Sequence, residues 1–293
     1  MNTNIITIPI DSVQVRLCEY HDLSFLGQLG EVFYAFDEQD SGNICFGVES
    51  GSEKLFVKYA GARTIKFTGN SADAVDRLKE AMPVYQALQH PHLIELREHF
   101  SVGEGYAAVY TWFPGECLYA NWPYAPVEKY QHFDLPAIRH RQLPLARRLD
   151  TLEAIFAFHE HVARQGNVAV DFYDGSILYD FTQQQTKICD IDVYHSLPYS
   201  NTMGRMWGSK RFMSPEEFEY GAAIDEVTNV YTMGATAFVL LGGTLDRSIE
   251  KWDGSAALFE VAQKAVNPDR GQRYPTIATF RHAWNAARAL LGE

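Results

Sequence analysis

The feature that most constrains the fold is a change in hydrophobic periodicity early in the chain. Before residue 71, three apolar runs are separated by segments rich in turn-forming residues, at Val32–Phe36, Ile44–Val48 and Leu55–Tyr59. From Ser71 onward, apolar residues recur at spacings of three and four, which is typical of a helix. The sequence therefore predicts a three-stranded meander followed by a helix with Ser71 as N-cap, interrupted or kinked at Pro83.

The rest of the chain passes from strands to helices. Two further strands are expected at Leu93–Leu96 and Tyr106–Phe113, and residues 119–144, rich in Tyr, Trp, Pro and His, predict a connector. A helical stripe covers Leu145–Val162, and further helices are expected beyond Ser214. Between these helical regions lie three short strand-like pieces, at Val168–Asp171, Ile177–Tyr179 and Lys187–Cys189.

This order of elements predicts an α+β chain of two lobes. We expect residues 31–113 to form a small antiparallel β lobe with one helix and residues 114–293 to form a larger, mostly helical lobe. Residues 1–30 are expected to be an N-terminal extension. The crevice between two lobes is a common place for a ligand.

The charge balance limits the partners that the protein can bind. With 25 Lys and Arg against 37 Asp and Glu, the formal net charge is −12, and no basic patch stands out. The sequence therefore predicts neither a nucleic-acid nor a membrane partner. The four cysteines are scattered and show no C-x-x-C spacing. The sequence has no basic segment typical of a secretory signal, and its longest apolar run is residues 230–243. These features predict a cytoplasmic protein.

Several short motifs follow one another along the chain. They are Val57-Lys58 at the end of the third strand, Asp171 followed by Ser176-Ile177-Leu178, Asp190 after the strand ending at Cys189, and Ser214-Pro215-Glu216. Their order and spacing resemble those of serine/threonine protein kinases, and the resemblance extends from about Val32 to Trp284. The resemblance implies a bilobal protein-kinase-like fold that uses ATP and Mg²⁺.

Lys58 is the residue that the resemblance implies for the nucleotide phosphates, because phosphoryl transfer needs a fixed cation on an inner strand. The alternative is a solvated lysine on an edge strand. In the family this lysine pairs with a helix glutamate, and Glu80 is the candidate here. The usual offset from His90 falls on Ala81, one residue away, so other acidic residues stay open as partners: Glu49, Glu53 and Asp76.

The nucleotide-binding segments are less similar to the family. Where kinases carry a glycine-rich loop, this chain has an acidic turn with one glycine, and Gly42 and Asn43 are the candidates for contact with phosphate. A plain hairpin turn is the alternative. The segment before Pro114 resembles the kinase hinge, which implies that the backbones of Thr111 and Phe113 bind the base.

The segment around Asp171 resembles the catalytic loop. Asp171 would accept the proton of the acceptor hydroxyl. The His-Arg pair that usually precedes this aspartate is Ala169-Val170, and the lysine two residues after it is Tyr173. The asparagine that binds the second metal ion is Ser176, a smaller oxygen donor.

Asp190-Ile191-Asp192 stands where kinases carry Asp-Phe-Gly. Asp190 is the expected Mg²⁺ ligand, because a hard cation that bridges phosphates needs carboxylate oxygens. Asp192 offers a second carboxylate and Ser176 a hydroxyl. This arrangement is similar to small-molecule kinases of the aminoglycoside and choline phosphotransferase type.

Two further matches to the family concern residues that support the site structurally. Glu216 and Arg273 stand where the family forms a buried ion pair, and breaking such a pair costs roughly 3–5 kcal/mol. Asn229 begins the segment that resembles the central buried helix, in place of the usual aspartate. We expect this neutral residue to weaken the anchor beneath the catalytic loop.

The resemblance implies an ATP- and Mg²⁺-dependent phosphotransferase that transfers the γ-phosphate to a hydroxyl. Residues 208–216 are more similar to a peptide platform than to any small-molecule enzyme, so a protein acceptor is favoured. The alternatives are a pseudokinase that binds nucleotide or acts as a scaffold, and a kinase of small molecules.

Overall fold

The computed structural model describes residues 5–119 and 135–292. It is a mixed α/β structure with several antiparallel sheets and several helices. The chain divides into two compact units: unit 1 contains the residues up to 89 together with 94–113, and unit 2 contains 90–93 and the residues from 114 onward. Most of the predicted connector, residues 120–134, lies outside the described residues.

Unit 1 is built on a five-stranded antiparallel sheet with the order β3-β4-β5-β7-β6. Its strands are β3 (Glu31–Phe36), β4 (Asn43–Ser50), β5 (Glu53–Ala60), β6 (Leu96–Val102) and β7 (Gly105–Thr111). The predicted meander is confirmed. The strand predicted at Leu93–Leu96 is wrong, because Leu93 makes only an isolated bridge to Ile188 and β6 begins at Leu96.

A hairpin precedes the sheet and shares its core. Strands β1 (Ile6–Ile10) and β2 (Val13–Leu17) pair with each other, and a short helix α1 (Leu26–Leu29) follows. Buried side chains of this region, such as Val15 and Leu17, pack in one cluster with sheet residues that include Ile44. Residues 5–30 therefore form part of unit 1 and contribute to its core.

One helix, α2 (Ser71–Ala87), packs against the sheet. Its N-cap is Asn70, not the predicted Ser71, because the Asn70 side chain accepts a hydrogen bond from the amide of Ala72 at 3.1 Å. Pro83 lies within the helix, as the sequence indicated. The buried face includes Ala74, Leu78, Ala81 and Tyr85, which fixes the register of the helix on the sheet.

Unit 2 is rich in helices. They are α3 (Pro136–Arg141), α4 (Leu145–Arg164), α5 (Glu226–Leu241), α6 (Ala256–Ala265) and α7 (Ile277–Ala289). The apolar run at residues 230–243 coincides with α5, most of which is buried, so the predicted core helix is confirmed. In the described part of the chain, every helix is too short or too polar to cross a bilayer.

Short strands in unit 2 support the loops that carry the predicted site. They are β8 (Glu116–Cys117), β9 (Asn167–Val168), β10 (Ile177–Asp180), β11 (Gln185–Ile188), β12 (His195–Ser196), β13 (Tyr199–Ser200) and β14 (Ala223–Ile224). Strands β10 and β11 pair as an antiparallel hairpin, close to the predicted pieces. The strand predicted at Val168–Asp171 is limited to β9, so Asp171 lies in a loop.

Candidate functional site

Lys58 lies in the middle of unit 1. It occupies the central strand β5, opposite Cys45 on β4 and Ala108 on β7, and only 8% of its surface is exposed. The edge-strand alternative is therefore wrong. A buried ammonium group is costly unless it is paired or has a function, so the position makes Lys58 a candidate site residue.

The predicted partner of Lys58 is on the wrong face of α2. Glu80 is exposed, and the inward position one residue later is Ala81, which is fully buried. No ion pair joins Glu80 to Lys58, and the three alternative acids, Glu49, Glu53 and Asp76, are also exposed and not paired with it. The register of α2 turns Ala81 and not Glu80 toward the sheet, because the buried stripe of the helix passes through position 81.

The Gly42 turn is packed against its own unit. Gly42 is buried with φ of +85°, and a Cβ at this position would lie 2.8 Å from the Phe67 ring and 2.9 Å from the Cβ of Ala74. Asn43 is also buried and begins strand β4. Protein side chains therefore occupy the space beside Gly42, which fits the hairpin-turn alternative; contact of Gly42 and Asn43 with phosphate stays a prediction.

The acidic side chains of this turn are held by cations. Arg16 of β2 donates from Nη2 to Asp37 at 2.8 Å and to Glu38 at 2.6 Å, and its backbone amide also donates to Asp37. Lys66 donates to Glu38 at 2.9 Å. We call Arg16, Asp37, Glu38 and Lys66 the acidic-turn clamp. The sequence did not indicate it, because its members lie far apart in the chain.

The hinge-like segment ends unit 1. The amide of Thr111 donates to the carbonyl of Glu95 at 2.9 Å, and the Thr111 hydroxyl donates to the Glu95 carboxylate at 2.8 Å. The Thr111 amide and hydroxyl are therefore both used within unit 1, and the binding of the base by the backbones of Thr111 and Phe113 stays a prediction. Phe113 is partly buried and follows the end of β7.

In unit 2, Asp171 and Asp190 share an uncommon backbone conformation. Their φ angles are +59° and +56°, in the left-handed region that residues other than glycine rarely adopt. Such a conformation costs on the order of 1–3 kcal/mol and persists only where the surrounding structure imposes it. Backbone strain of this kind is concentrated at functional sites, and two of the five non-glycine residues with a positive φ in the described ranges are the predicted catalytic aspartates.

Asn229 of α5 holds the loop that carries Asp171 through two hydrogen bonds. The Asn229 Oδ1 accepts a hydrogen bond from the amide of Ala169 at 2.7 Å, and its Nδ2 donates to the carbonyl of the same residue at 2.8 Å. An amide can make both bonds, whereas a carboxylate can make only the first. The expected weakening of this anchor is therefore not found, because Asn229 satisfies both backbone groups.

A second contact fixes the same loop from the side. Asp174, which is buried, accepts two hydrogen bonds from the Arg211 guanidinium, both at 2.7 Å. Between these elements, a Cβ on Gly208 would lie 3.5 Å from the Oδ1 of Asp171. The segment at residues 208–211 therefore lies against the Asp171 loop. The only sequence signal for this ion pair was the position of Arg211 within the predicted peptide platform.

The candidate metal ligands lie on adjoining segments. Asp190 is exposed, Asp192 is partly buried, and the buried Ile191 lies between them. The carbonyl of Ser176 accepts from the amide of Cys189 at 3.0 Å, which brings Ser176 next to Asp190 in the structure. The Ser176 hydroxyl is buried and has no hydrogen-bond partner among the described residues.

This donor set fits Mg²⁺, which prefers carboxylate and hydroxyl oxygens and retains other oxygen ligands from water and phosphate. Among residues 5–119 and 135–292, no three His, Cys, Asp or Glu side chains converge into a complete metal site. Oxygen atoms from water or phosphate would complete the coordination of a Mg²⁺ ion held by Asp190, Asp192 and Ser176.

Tyr173, in place of the family's lysine, folds back over its own loop. A side chain on Gly175 would overlap the Tyr173 ring, and Tyr119 packs edge-on against it with ring centroids 5.3 Å apart. Burial, and then the nearby charges of Asp190 and Asp171, raise the pKa of the Tyr173 phenol well above its ordinary value. Tyr173 is therefore a neutral hydroxyl in a site where kinases have a cation.

A buried histidine supports the site from within α4. His159 lies between the Ile155 carbonyl, 2.8 Å from its Nδ1, and the Tyr194 hydroxyl, 2.9 Å from its Nε2. Since a carbonyl only accepts, Nδ1 carries the proton and Tyr194 donates to Nε2. Burial lowers the pKa of His159 to about 4, so its ring is neutral. It packs on Phe172, next to Asp171.

Glu216 and Arg273 come together in the frame of unit 2. The Arg273 guanidinium donates to both carboxylate oxygens of Glu216, at 2.7 and 3.0 Å, and both side chains are buried. Arg270 also donates to Glu216 at 2.7 Å and pairs with Asp225, the N-cap of α5. Hydrogen bonds to Arg273 and the charges of both arginines keep the pKa of Glu216 below its ordinary value despite its burial.

No protein-family model matches the chain. The chain is 22% identical over 250 residues to the cysteine-rich receptor-like protein kinase 24 of Arabidopsis thaliana, which covers 83% of this chain and 34% of that protein. It is 26% identical over 223 residues to the hormonally up-regulated neu tumor-associated kinase of Mus musculus, covering 74% of this chain and 28% of that protein. The chain thus spans about a third of the length of these relatives. The similarities support a protein-kinase-like relationship.

Proposed function

We propose that this protein is an ATP- and Mg²⁺-dependent phosphotransferase that transfers the γ-phosphate to a hydroxyl of a serine or threonine in a protein. The observation that carries the proposal is the left-handed backbone of both Asp171 and Asp190. Two strained aspartates at the two catalytic positions of a kinase-like chain are expected where the fold imposes a reactive geometry. The kinase relatives support the same class of chemistry.

In this proposal, each residue has a separate role. Asp171 accepts or orients the proton of the acceptor hydroxyl, and Asn229 and Asp174 hold its loop in place. Lys58 binds the nucleotide phosphates, and the backbone near Phe113 binds the base. Mg²⁺, held by Asp190, Asp192 and the Ser176 hydroxyl, would neutralise negative charge on the phosphates.

A pseudokinase is the second candidate, and two observations in unit 1 favour it. The inward position of α2 is Ala81 instead of an acid, and the Gly42 turn is packed against Phe67. Both changes remove groups that kinases use to order the triphosphate. A protein with these changes binds nucleotide less tightly and transfers phosphate slowly or not at all.

The test combines nucleotide binding with turnover. We expect ATP to raise the melting temperature more with Mg²⁺ than without it, and a protein or peptide acceptor to be phosphorylated. Asp171→Asn keeps a residue that tolerates the left-handed backbone but removes the base, so turnover should fall by about 10²–10⁴-fold with the ATP-induced shift retained. Asp190→Asn should lose the Mg²⁺-dependent part of the shift.

Asp150→Asn, on the exposed face of α4, is the matched control and should leave both quantities unchanged. An ATP-induced shift without turnover by the unmodified protein would favour the pseudokinase. Absence of any shift would contradict the phosphotransferase and a nucleotide-binding pseudokinase, and would favour a protein-interaction scaffold. Turnover that small metabolites raise and proteins do not would assign the acceptor to small molecules instead.

A further inference from the structure

The segment that leads past the Asp171 loop has an unusual charge for this chain. Residues 193–215 contain Arg205, Lys210 and Arg211 and no aspartate or glutamate, whereas the whole chain has a net charge of −12. Arg205 and Lys210 are exposed. A local positive charge on an acidic protein concentrates anionic ligands at one place.

A fourth cation, Arg247, follows α5 in the chain and contacts this segment. Its Nη2 donates to the carbonyl of Arg211 at 3.5 Å, and its Nη1 donates to the Tyr231 hydroxyl at 2.8 Å. The guanidinium also packs over the rings of Tyr231 and Phe238, at 5.0 and 5.7 Å from their centroids. These contacts fix the orientation of the guanidinium before any ligand arrives.

Arg247 differs from other partly or fully buried arginines of unit 2 in its charge balance. Arg148, Arg211, Arg273 and Arg281 each form an ion pair with a carboxylate. Arg247 forms none with any residue in the described ranges, and its Nε is buried without a hydrogen-bond partner. A partly buried cation without a counter-charge is unfavourable unless an anion from outside supplies one.

This cation is connected to the proposed catalytic loop through a short series of contacts. Arg247 touches the backbone of Arg211, Arg211 is ion-paired to Asp174, and Gly208 lies against Asp171. All of these residues belong to unit 2. An anionic group bound by Arg247 would therefore lie on the segment that packs against the Asp171 loop.

We infer that the acceptor is an acidic peptide, in which an aspartate or glutamate close to the phosphorylated residue binds Arg247. A guanidinium held by aromatic rings suits a carboxylate, because it forms charge-assisted hydrogen bonds in a fixed plane. The inference rests on the proposed phosphotransferase function and adds the substrate class to it.

The experiment uses the full chain and a set of serine peptides in which one glutamate is moved through the positions flanking the serine, against versions with glutamine or lysine. We expect one glutamate position to lower KM by about tenfold or more, the range of a charge-assisted hydrogen bond. Arg247→Gln should raise KM for that peptide to the value for the glutamine peptide, with kcat retained. Arg247→Lys should give an intermediate KM.

A binding measurement separates this inference from the proposed function. Fluorescence anisotropy of the labelled glutamate peptide without ATP should show binding that weakens with salt and is lost in Arg247→Gln. Arg164→Gln, an exposed arginine on α4, is the control and should retain the preference. Binding that depends on Arg247 without any turnover would support the acidic-peptide site and contradict the phosphotransferase. Equal KM values for all peptides, or a preference that persists in a folded Arg247→Gln protein, would overturn the inference.

Discussion

The two units of this protein keep different parts of the kinase-like pattern. In unit 2, Asp171 and Asp190 have a strained backbone, and the Asp171 loop is fixed by Asn229 and by the Arg211–Asp174 ion pair. In unit 1, the turn that should cover phosphate is packed against Phe67 and held by the acidic-turn clamp. The residues proposed for proton transfer and metal binding lie on anchored loops of unit 2, whereas the residues of unit 1 that the resemblance assigns to the triphosphate depart from the pattern.

The difference indicates which departures from the pattern matter. Ala169, Val170 and Tyr173 replace charged family residues around Asp171, yet the loop keeps its anchors. In unit 1, Glu80 is exposed while the neighbouring Ala81 is buried, and the Gly42 turn packs against Phe67. A loss of charge in a supported loop is a smaller change than the loss of an inward-facing acid on α2.

The largest effect is expected for the frame of unit 2. Glu216→Gln removes the counter-charge of the fully buried Arg273 guanidinium, which should lower the free energy of unfolding by about 3–5 kcal/mol. Urea unfolding measures the loss, and hydrogen exchange should place it in unit 2. Glu116→Gln, which breaks an exposed pair with Arg139, is the control and should cost at most about 1 kcal/mol. An equal loss of hydrogen-exchange protection in both units would contradict the expectation that the Glu216–Arg273 pair stabilises unit 2 in particular.

A second, smaller effect tests the anchor of the Asp171 loop. Asn229→Asp keeps the acceptor for the Ala169 amide but cannot donate to the Ala169 carbonyl when it is ionised. The buried carbonyl then lies unpaired beside a carboxylate, at a cost of about 1–3 kcal/mol. Because a protonated aspartate can donate, the loss should shrink as the pH falls below the pKa of the new carboxyl. A variant as stable as the wild type at neutral pH would contradict this account of the anchor.

The sequence predicted elements best where local pattern and tertiary packing agree. The meander around Lys58 and the core helix α5 have apolar periodicities that match their burial. The apolar run at Leu93–Leu96 did not form a strand, because such a short run has no periodicity of its own and Leu93 bridges to Ile188. The β1–β2 hairpin has no turn signal strong enough to predict it from the sequence alone.

The candidate site residues were likewise predicted best where a local sequence pattern was sufficient. Motif spacing was sufficient to identify Asp171 and Asp190 as candidates, but it could not show that Phe67 packs on Gly42 or that α2 turns Ala81 inward. Both outcomes depend on how separate elements pack against each other. The Arg211–Asp174 pair joins residues far apart in the chain, so no local pattern could reveal it.

The smallest expected effect concerns the acidic-turn clamp of unit 1. Arg16→Gln removes the side-chain bonds to Asp37 and Glu38, but Asp37 keeps the bond from the backbone amide of residue 16. Because the Arg16 side chain is 44% exposed, the loss of stability should be at most about 1 kcal/mol. The ATP-induced shift in melting temperature should stay the same, since the proposed nucleotide contacts come from Lys58 and the backbone near Phe113 and not from this turn. Arg63→Gln, which breaks an exposed pair with Glu19 in the same unit, is the control. If Arg16→Gln changed the ATP-induced shift and Arg63→Gln did not, the clamped turn would contact the nucleotide after all, and the two units would no longer differ in this respect.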